Sequence, residues 1–291
     1  REMRKLLVLQ PEEEGSLLSY LDKFHYPMWI TQFYENITQV TSAICAEAAK
    51  NGVTTLELRY SPIIHIYGGL TIRQSIRAVL SALNRAERDY GIQAGLIVIA
   101  MRHHGPHIAK ILARGAAGDA QHLHGRCGVI GFDIAGAEKG NAPRLFNKAY
   151  DIASRAGLGL TAHAGEAEGP AYIWEAIDTL GCTRIGHGCS AVQDKALLRR
   201  LAKDQILVEC APSSNYQTGA VARGERHPIF TFLEHGIPVA LCTDNTTVSA
   251  TSQNRESALF LKELGLDTIK EIHRSAVQHS FIAKSHGKKA A

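Results

Sequence analysis

Seven short apolar runs, each closing on polar residues and most leading into a helical pattern, constrain this chain more than any other feature. They span 53–62, 92–101, 128–136, 157–166, 184–190, 206–215 and 237–245. Their starts lie 39, 36, 29, 27, 22 and 31 residues apart, the length of a strand plus a crossover helix. Runs such as Leu96-Ile97-Val98-Ile99-Ala100 are apolar without alternation, which marks strands covered on both faces and hence a parallel sheet wrapped by helices. The helices have matching ends. Thr71 is placed to cap a helix running to Tyr90 with Gly91 just past it, and Asn51-Gly52 closes the helix before the first run. The spacing points to an α/β, TIM-type (β/α)8 barrel with one strand unaccounted for. No glycine-rich phosphate fingerprint follows the first run, which counts against a doubly wound dinucleotide-binding sheet. The segment ahead of residue 53 reads mainly as helix, over 17–24 and about 39–50, so the absent strand is expected to be the first.

With 291 residues, 45% of them apolar, and no linker or low-complexity tract, residues 1–291 are expected to form one barrel domain. Lys and Arg number 32 against 28 Asp and Glu, a net charge of +4 that is dispersed along the chain. That imbalance is too small to point to nucleic acid or an acidic membrane surface as partner. The longest apolar runs, such as 94–101, are strand-sized and fall far short of a membrane helix. Six cysteines without a CxxC read as reduced, mostly buried thiols of a cytoplasmic protein. The chain opens at Arg1 with no signal-peptide pattern and no initiator methionine, and the native protein is expected to extend upstream.

In a barrel of this class the chemistry sits at the C-terminal ends of the strands. Those ends carry Glu57 and Arg59; Arg102, His103 and His104; Asp133 and Gly136; His163 and Glu166; His187; Glu209 and Asn215; and Asp244 and Asn245. Imidazole and carboxylate suit a zinc-type ion, and His163, His187 and Asp244, from three different strands, are candidates to converge on one. Glu166, three residues after His163, is placed to hand a proton to a substrate. His187 is placed to orient or deprotonate a metal-bound water, whose pKa the metal lowers. A metal-activated hydroxide plus a general acid describes hydrolytic attack on an unsaturated carbon: an amidase, a cyclic amidohydrolase or an aminopurine deaminase.

His163-Ala-Gly-Glu166, Arg184-Ile-Gly-His-Gly188, Glu209-Cys-Ala-Pro-Ser-Ser-Asn215 and Cys242-Thr-Asp-Asn245 resemble, in order and spacing, the signature of the adenosine deaminase family of the amidohydrolase superfamily. The segments 56–62 and 131–136 resemble two further family segments, and the similarity runs from about Ser16 onward. The resemblance implies one zinc ion per chain with His163 and Asp244 as ligands. It implies Glu166 as proton donor to purine N1, His187 beside the zinc-bound water, and Gly136 meeting purine N3 through its backbone. It also implies an apolar gate formed by the first helical segment, with Leu17, Tyr20, Leu21 and Phe24 on one face; that face reads equally as a helix packed on the barrel.

Two positions depart from the family pattern. Where the family has Asp-Asp, this chain has Asp244-Asn245. Purine N7 is an acceptor and an Asn amide donates to it directly, so the change is compatible with purine binding while leaving the 6-aminopurine open, modified adenosines such as aminodeoxyfutalosine included. The family's first strand also supplies a His-x-His pair of zinc ligands, and none precedes Ser16. The pair His122 and His124 is expected at the wrong end of its strand, and His103 and His104, adjacent on extended chain, are expected to point apart. Three readings follow: zinc-dependent hydrolytic deamination of adenosine or a related free 6-aminopurine nucleoside; a non-catalytic or impaired purine-binding barrel short of two zinc ligands; and, last, a cyclic amidohydrolase, for which no bridging lysine stands at a strand end.

Overall fold

The computed structural model describes residues 2–120 and 127–282. Its strands are β1 (Thr55–Tyr60), β2 (Gln93–Met101), β3 (Val129–Ala135), β4 (Gly159–Ala164), β5 (Arg184–His187), β6 (Leu207–Cys210) and β7 (Val239–Leu241). Each falls inside one of the seven apolar runs. Every adjacent pair is parallel, and the hydrogen-bonded order follows the chain, β1 through β7. An unbroken chain order excludes the doubly wound alternative, whose order reverses at a switch point, and is that of a TIM-type barrel with seven strands among the described residues.

The helix ends follow the sequence signals. Thr71 Oγ1 accepts from the Gln74 backbone N–H while the Gln74 side chain accepts from the Thr71 N–H, a reciprocal capping box. The helix Ile72–Tyr90 then stops at Gly91 in the left-handed conformation, φ 68°. Ahead of β1 the described residues form helices, Glu2–Leu7, Leu17–Asp22, His25–Ile30 and Tyr34–Lys50 among them. The last starts five residues earlier than 39. The helix expected over 17–24 ends at Asp22 with Lys23 as its C-cap, and a separate helix, His25–Ile30, begins three residues on. Lys23 is pinned: its ammonium donates to the Lys5 carbonyl at 3.2 Å and to Glu13 Oε1 at 2.7 Å.

The chain divides into two compact units: residues 1–26, 136–144 and 161–278, and residues 27–135, 145–160 and 279–291. The second holds β1 to β3 and the first two residues of β4. Gly131 and Gly159 stand opposite each other across β3 and β4, and the space they leave takes the ring of Phe281. A Cβ on Gly159 would lie 2.2 Å from that ring and one on Gly131 2.8 Å from it, so only glycine admits the aromatic there. Ile97, Ile130 and Ile282 complete the cluster. Glu57 holds the segment in place, accepting from Ser280 Oγ at 2.9 Å and from the Phe281 backbone N–H at 2.6 Å.

In the first unit one carboxylate ties three strands. Glu209 Oε1 on β6 accepts from Arg184 Nε on β5 at 2.6 Å and from Thr161 Oγ1 on β4 at 3.1 Å. The ion pair is 5% and 3% exposed, a geometry in which losing either partner strands a buried charge. Five of the six cysteines are buried, Cys242 being intermediate. Among the described residues no helix is long and apolar enough to cross a membrane.

Phe281 fills its slot completely, at 2% exposure. Phe281→Ala is therefore expected to lower the unfolding free energy by about 3–5 kcal/mol, read as a lower urea midpoint with an unchanged slope.

Candidate active site

The site is built on the turn leaving β4. The chain reverses at Gly165, φ 73°, a backbone that side chains strain. A Cβ there would come within 2.5 Å of Ile173 Cδ1 and Ser190 Oγ. This turn carries the chain from His163 to Glu166 and aims four successive backbone N–H groups at one carboxylate. Glu138 Oε1 accepts from Gly165 at 2.8 Å, and its Oε2 accepts from Glu166 at 3.1 Å, Ala167 at 2.7 Å and Glu168 at 2.8 Å. Glu138 is 2% exposed, and these charge-assisted bonds compensate its burial.

The turn so held puts the Glu166 side chain in a nearly closed place, 8% exposed, with Oε2 3.6 Å from His187 Nε2. Its Oε1 accepts from Thr218 Oγ1 at 3.2 Å. Burial is the main influence on this carboxyl and pushes its pKa up; Asp244 and Glu138 add to the rise, while His187 and His163 oppose it. A carboxyl in this setting holds its proton above the usual carboxylate range and so can give one up to a bound base.

His187 ends β5 with φ 62°, and Asp244, three residues past β7, has φ 51°. Among the described residues only Gln205 and Ala250 share this conformation outside glycine. Such backbone costs about 1–3 kcal/mol per residue, so two of the four strained positions are candidate site residues. The His163 and His187 rings lie 5.1 Å apart, tilted by 54°. On its other side His187 Nδ1 is 2.8 Å from Asn215 Nδ2, and Asn215 Oδ1 is 3.1 Å from His227 Nε2.

Asn245 spends both amide hydrogens locally. Its Nδ2 donates to Asp244 Oδ1 at 2.7 Å and to the Tyr20 hydroxyl at 3.3 Å. That hydroxyl also shares a hydrogen bond with Ser249 Oγ at 2.8 Å, and burial raises the Tyr20 pKa well above its ordinary value. Tyr20 is in the helix Leu17–Asp22, which Leu17 opens behind the Ser16 cap. Phe24 lies just past that helix, its ring 6.1 Å from that of Tyr20, packed against the cluster of Leu9, Tyr20 and Val248. Gly136 follows β3 with φ 92°, two residues before Glu138.

One unit of the fold thus holds Gly136, His163, Glu166, His187, Asp244, Asn245, Leu17 and Phe24. His103 and His104 are in the other unit. They do not point apart as expected: they lie in a 3-10 turn, Arg102–His104, which sets their rings edge to face at 4.2 Å. His122 and His124 fall outside the described residues. Glu138, Thr218 and His227 were not legible in the sequence as site residues. Glu138 had one available signal, an acidic residue two past Gly136 in the same strand-end loop. His227 and Thr218 had none, since the bonds that bring them to the site run to residues 12 and 52 positions away.

For a zinc ion the donors are right in kind and short in number. A catalytic zinc takes three protein ligands, and among the described residues no group of three or more His, Cys, Asp or Glu is set to enclose a metal.

Comparison with known proteins places this geometry. The adenosine deaminase family model matches residues 4–290. An adenosine deaminase from Enterococcus faecalis is 32% identical over 289 residues, covering 98% of this chain and 83% of that protein. The crystal structure of an adenine deaminase from Arthrobacter aurescens aligns with a TM-score of 0.86 at 26% identity, covering 100% of this chain and 89% of that one. An amidohydrolase from Burkholderia ambifaria, solved with bound Zn, shares the fold with a TM-score of 0.79 at 24% identity, over 89% of this chain and 72% of that one. The run of matching motifs and the shared TIM-type (β/α)8 fold have one explanation in common descent: the chain belongs to the adenosine deaminase family of hydrolases.

Proposed function

We infer that the chain hydrolytically removes the 6-amino group of adenosine or a closely related free 6-aminopurine nucleoside, giving the inosine-type product and ammonia. The observation that carries the reading is Glu166: a carboxyl 8% exposed, beside His187, with its pKa pushed up by burial. Water adds its oxygen to C6 as Glu166 gives a proton to N1, so the C6=N1 π bond becomes an N1–H bond and C6 turns tetrahedral. Of the two protons the water brings, one passes to the departing 6-amino nitrogen and the other returns to Glu166, so cleavage of the C6–N bond releases ammonia, leaves the 6-oxo product and restores the acid. Protonating N1 in step with attack keeps charge from accumulating on the ring.

Around that centre, Gly136 meets N3 through its backbone, and Asn245 donates to N7 after letting go of the Tyr20 hydroxyl. Leu17 and Phe24 supply apolar cover. The reading includes one zinc ion per chain, toward which His163 and Asp244 are the side chains that the described residues offer, fewer than the three of a complete centre.

That number of donors among the described residues leaves one other reading, a purine-binding chain without turnover. Ammonia release from adenosine, adenine and their modified forms, measured in zinc-supplied buffer beside calorimetric binding of the same compounds, separates the two. Binding without ammonia from any of them overturns the deaminase reading.

Glu166→Gln keeps the shape and removes the transferable proton. Its kcat is expected to fall by about 10²–10⁴-fold, read from the loss of adenosine absorbance; an unchanged rate removes Glu166 from proton transfer. Glu138→Gln tests the turn. An amide nitrogen now faces backbone N–H donors, Glu166 shifts, and kcat is expected to drop by about 10²-fold. A rate within twofold of the parent would show that the four-amide cradle does not position Glu166.

A further inference from the structure

Which of its two ring nitrogens carries the proton decides whether a neutral His187 can donate to the site or accept from it. The answer is set outside the site, starting from a group with no choice. The Ile229 backbone N–H can only donate, and it meets His227 Nδ1 at 3.1 Å. Nδ1 of His227 is therefore the acceptor and its Nε2 bears the hydrogen. His227 is 1% exposed and packs against Phe260 and Tyr216 at ring distances of 5.4 and 5.8 Å. Burial, with His187 adding to it, lowers its pKa to about 4, so the ring is neutral near pH 7 and holds one hydrogen.

That hydrogen points at Asn215 Oδ1, 3.1 Å away. An amide that accepts through its oxygen must turn its NH2 the other way, and Asn215 Nδ2 faces His187 Nδ1 at 2.8 Å. Asn215 is wholly buried, so neither end of the amide reaches bulk solvent. His187 Nδ1 accepts, which leaves the proton of the neutral ring on Nε2, the nitrogen 3.6 Å from Glu166 Oε2.

We propose that the line from Ile229 through His227 and Asn215 fixes His187 as the Nε2–H tautomer, so that His187 enters the reaction as a hydrogen-bond donor and not as a base. This rests on the proposed deaminase reading only for where His187 acts; the tautomer follows from the hydrogen bonds alone. In that reaction the Nε2–H faces the oxygen being attached to C6. A ring already protonated there has no lone pair with which to take the water's proton. Asn215 and His227 are positioning residues: they act through His187.

The test is a long-range proton–nitrogen NMR correlation on 15N-labelled protein near pH 7, with the His187 signals assigned by their disappearance in His187→Gln. The expected pattern has a protonated Nε2 and a bare Nδ1. A bare Nε2 in the parent protein overturns the proposal whatever the variants do. Asn215→Asp is the informative substitution, nearly equal in shape. A carboxylate still accepts from His227 but cannot donate, so it demands a hydrogen from His187 Nδ1, and the expected spectrum moves the proton there. With the tautomer reversed, kcat is expected to fall by about 10²-fold while KM stays within threefold. An Asn215→Asp spectrum identical to the parent's overturns the proposal. The parent tautomer with its reversal in Asn215→Asp, in a protein that deaminates no 6-aminopurine, upholds the relay and overturns the deaminase reading.

Discussion

The candidate site depends on one buried carboxylate held by backbone N–H groups. Glu138 is satisfied by four consecutive backbone N–H groups of the 165–168 turn, and an ionised carboxyl removed from water is tolerable only with such a set of donors. The donors converge because Gly165 takes a left-handed backbone with no room for a side chain. Gly165 thus shapes the turn, the turn receives Glu138, and Glu138 fixes the backbone from which Glu166 projects. The contacts of Glu166 with Thr218 and His187 follow from that anchor.

The barrel strands were legible because a strand covered on both faces must be apolar throughout, a pattern that survives without knowledge of its neighbours. Their ends were legible to within about two residues, except at 184–190, 206–215 and 237–245, whose polar tails run three to five residues past the strand. Ala211 to Asn215 read as the end of a strand, yet Pro212 starts the helix Pro212–Gln217, proline being suited to a first helical position. Glu209 read as one more polar strand end, whereas it is the buried acceptor joining β4, β5 and β6. A sequence marks such a residue as polar; only strand register says whether it faces a ligand or an arginine.

The site residues divide along the same line. His163, Glu166, His187 and Asp244 stand out because they interrupt apolar runs. Asn215 is marked only as a polar strand-end residue and Glu138 only as an acid in a strand-end loop, while His227 follows an exposed loop, so no local pattern shows what each of them holds. The partners that tie them to the candidate site are 12 to 30 residues distant, and what makes them matter is a hydrogen-bond geometry created by the fold. The histidine pair at 103–104 failed for a related reason: the alternation rule for extended chain does not apply once the strand has given way to a 3-10 turn.

Asn245 shows how a departure from a family pattern can be read through its neighbours. A carboxylate at this position would face Asp244 with like charge, whereas the amide donates to Asp244 Oδ1 at 2.7 Å and steadies it. The second amide hydrogen goes to the Tyr20 hydroxyl over a longer 3.3 Å, which joins the strand-end loop to the helix Leu17–Asp22. In the proposed reaction, purine N7 and Tyr20 compete for that one hydrogen. The exchange costs little, since the bond given up is long and Tyr20 keeps Ser249 as partner.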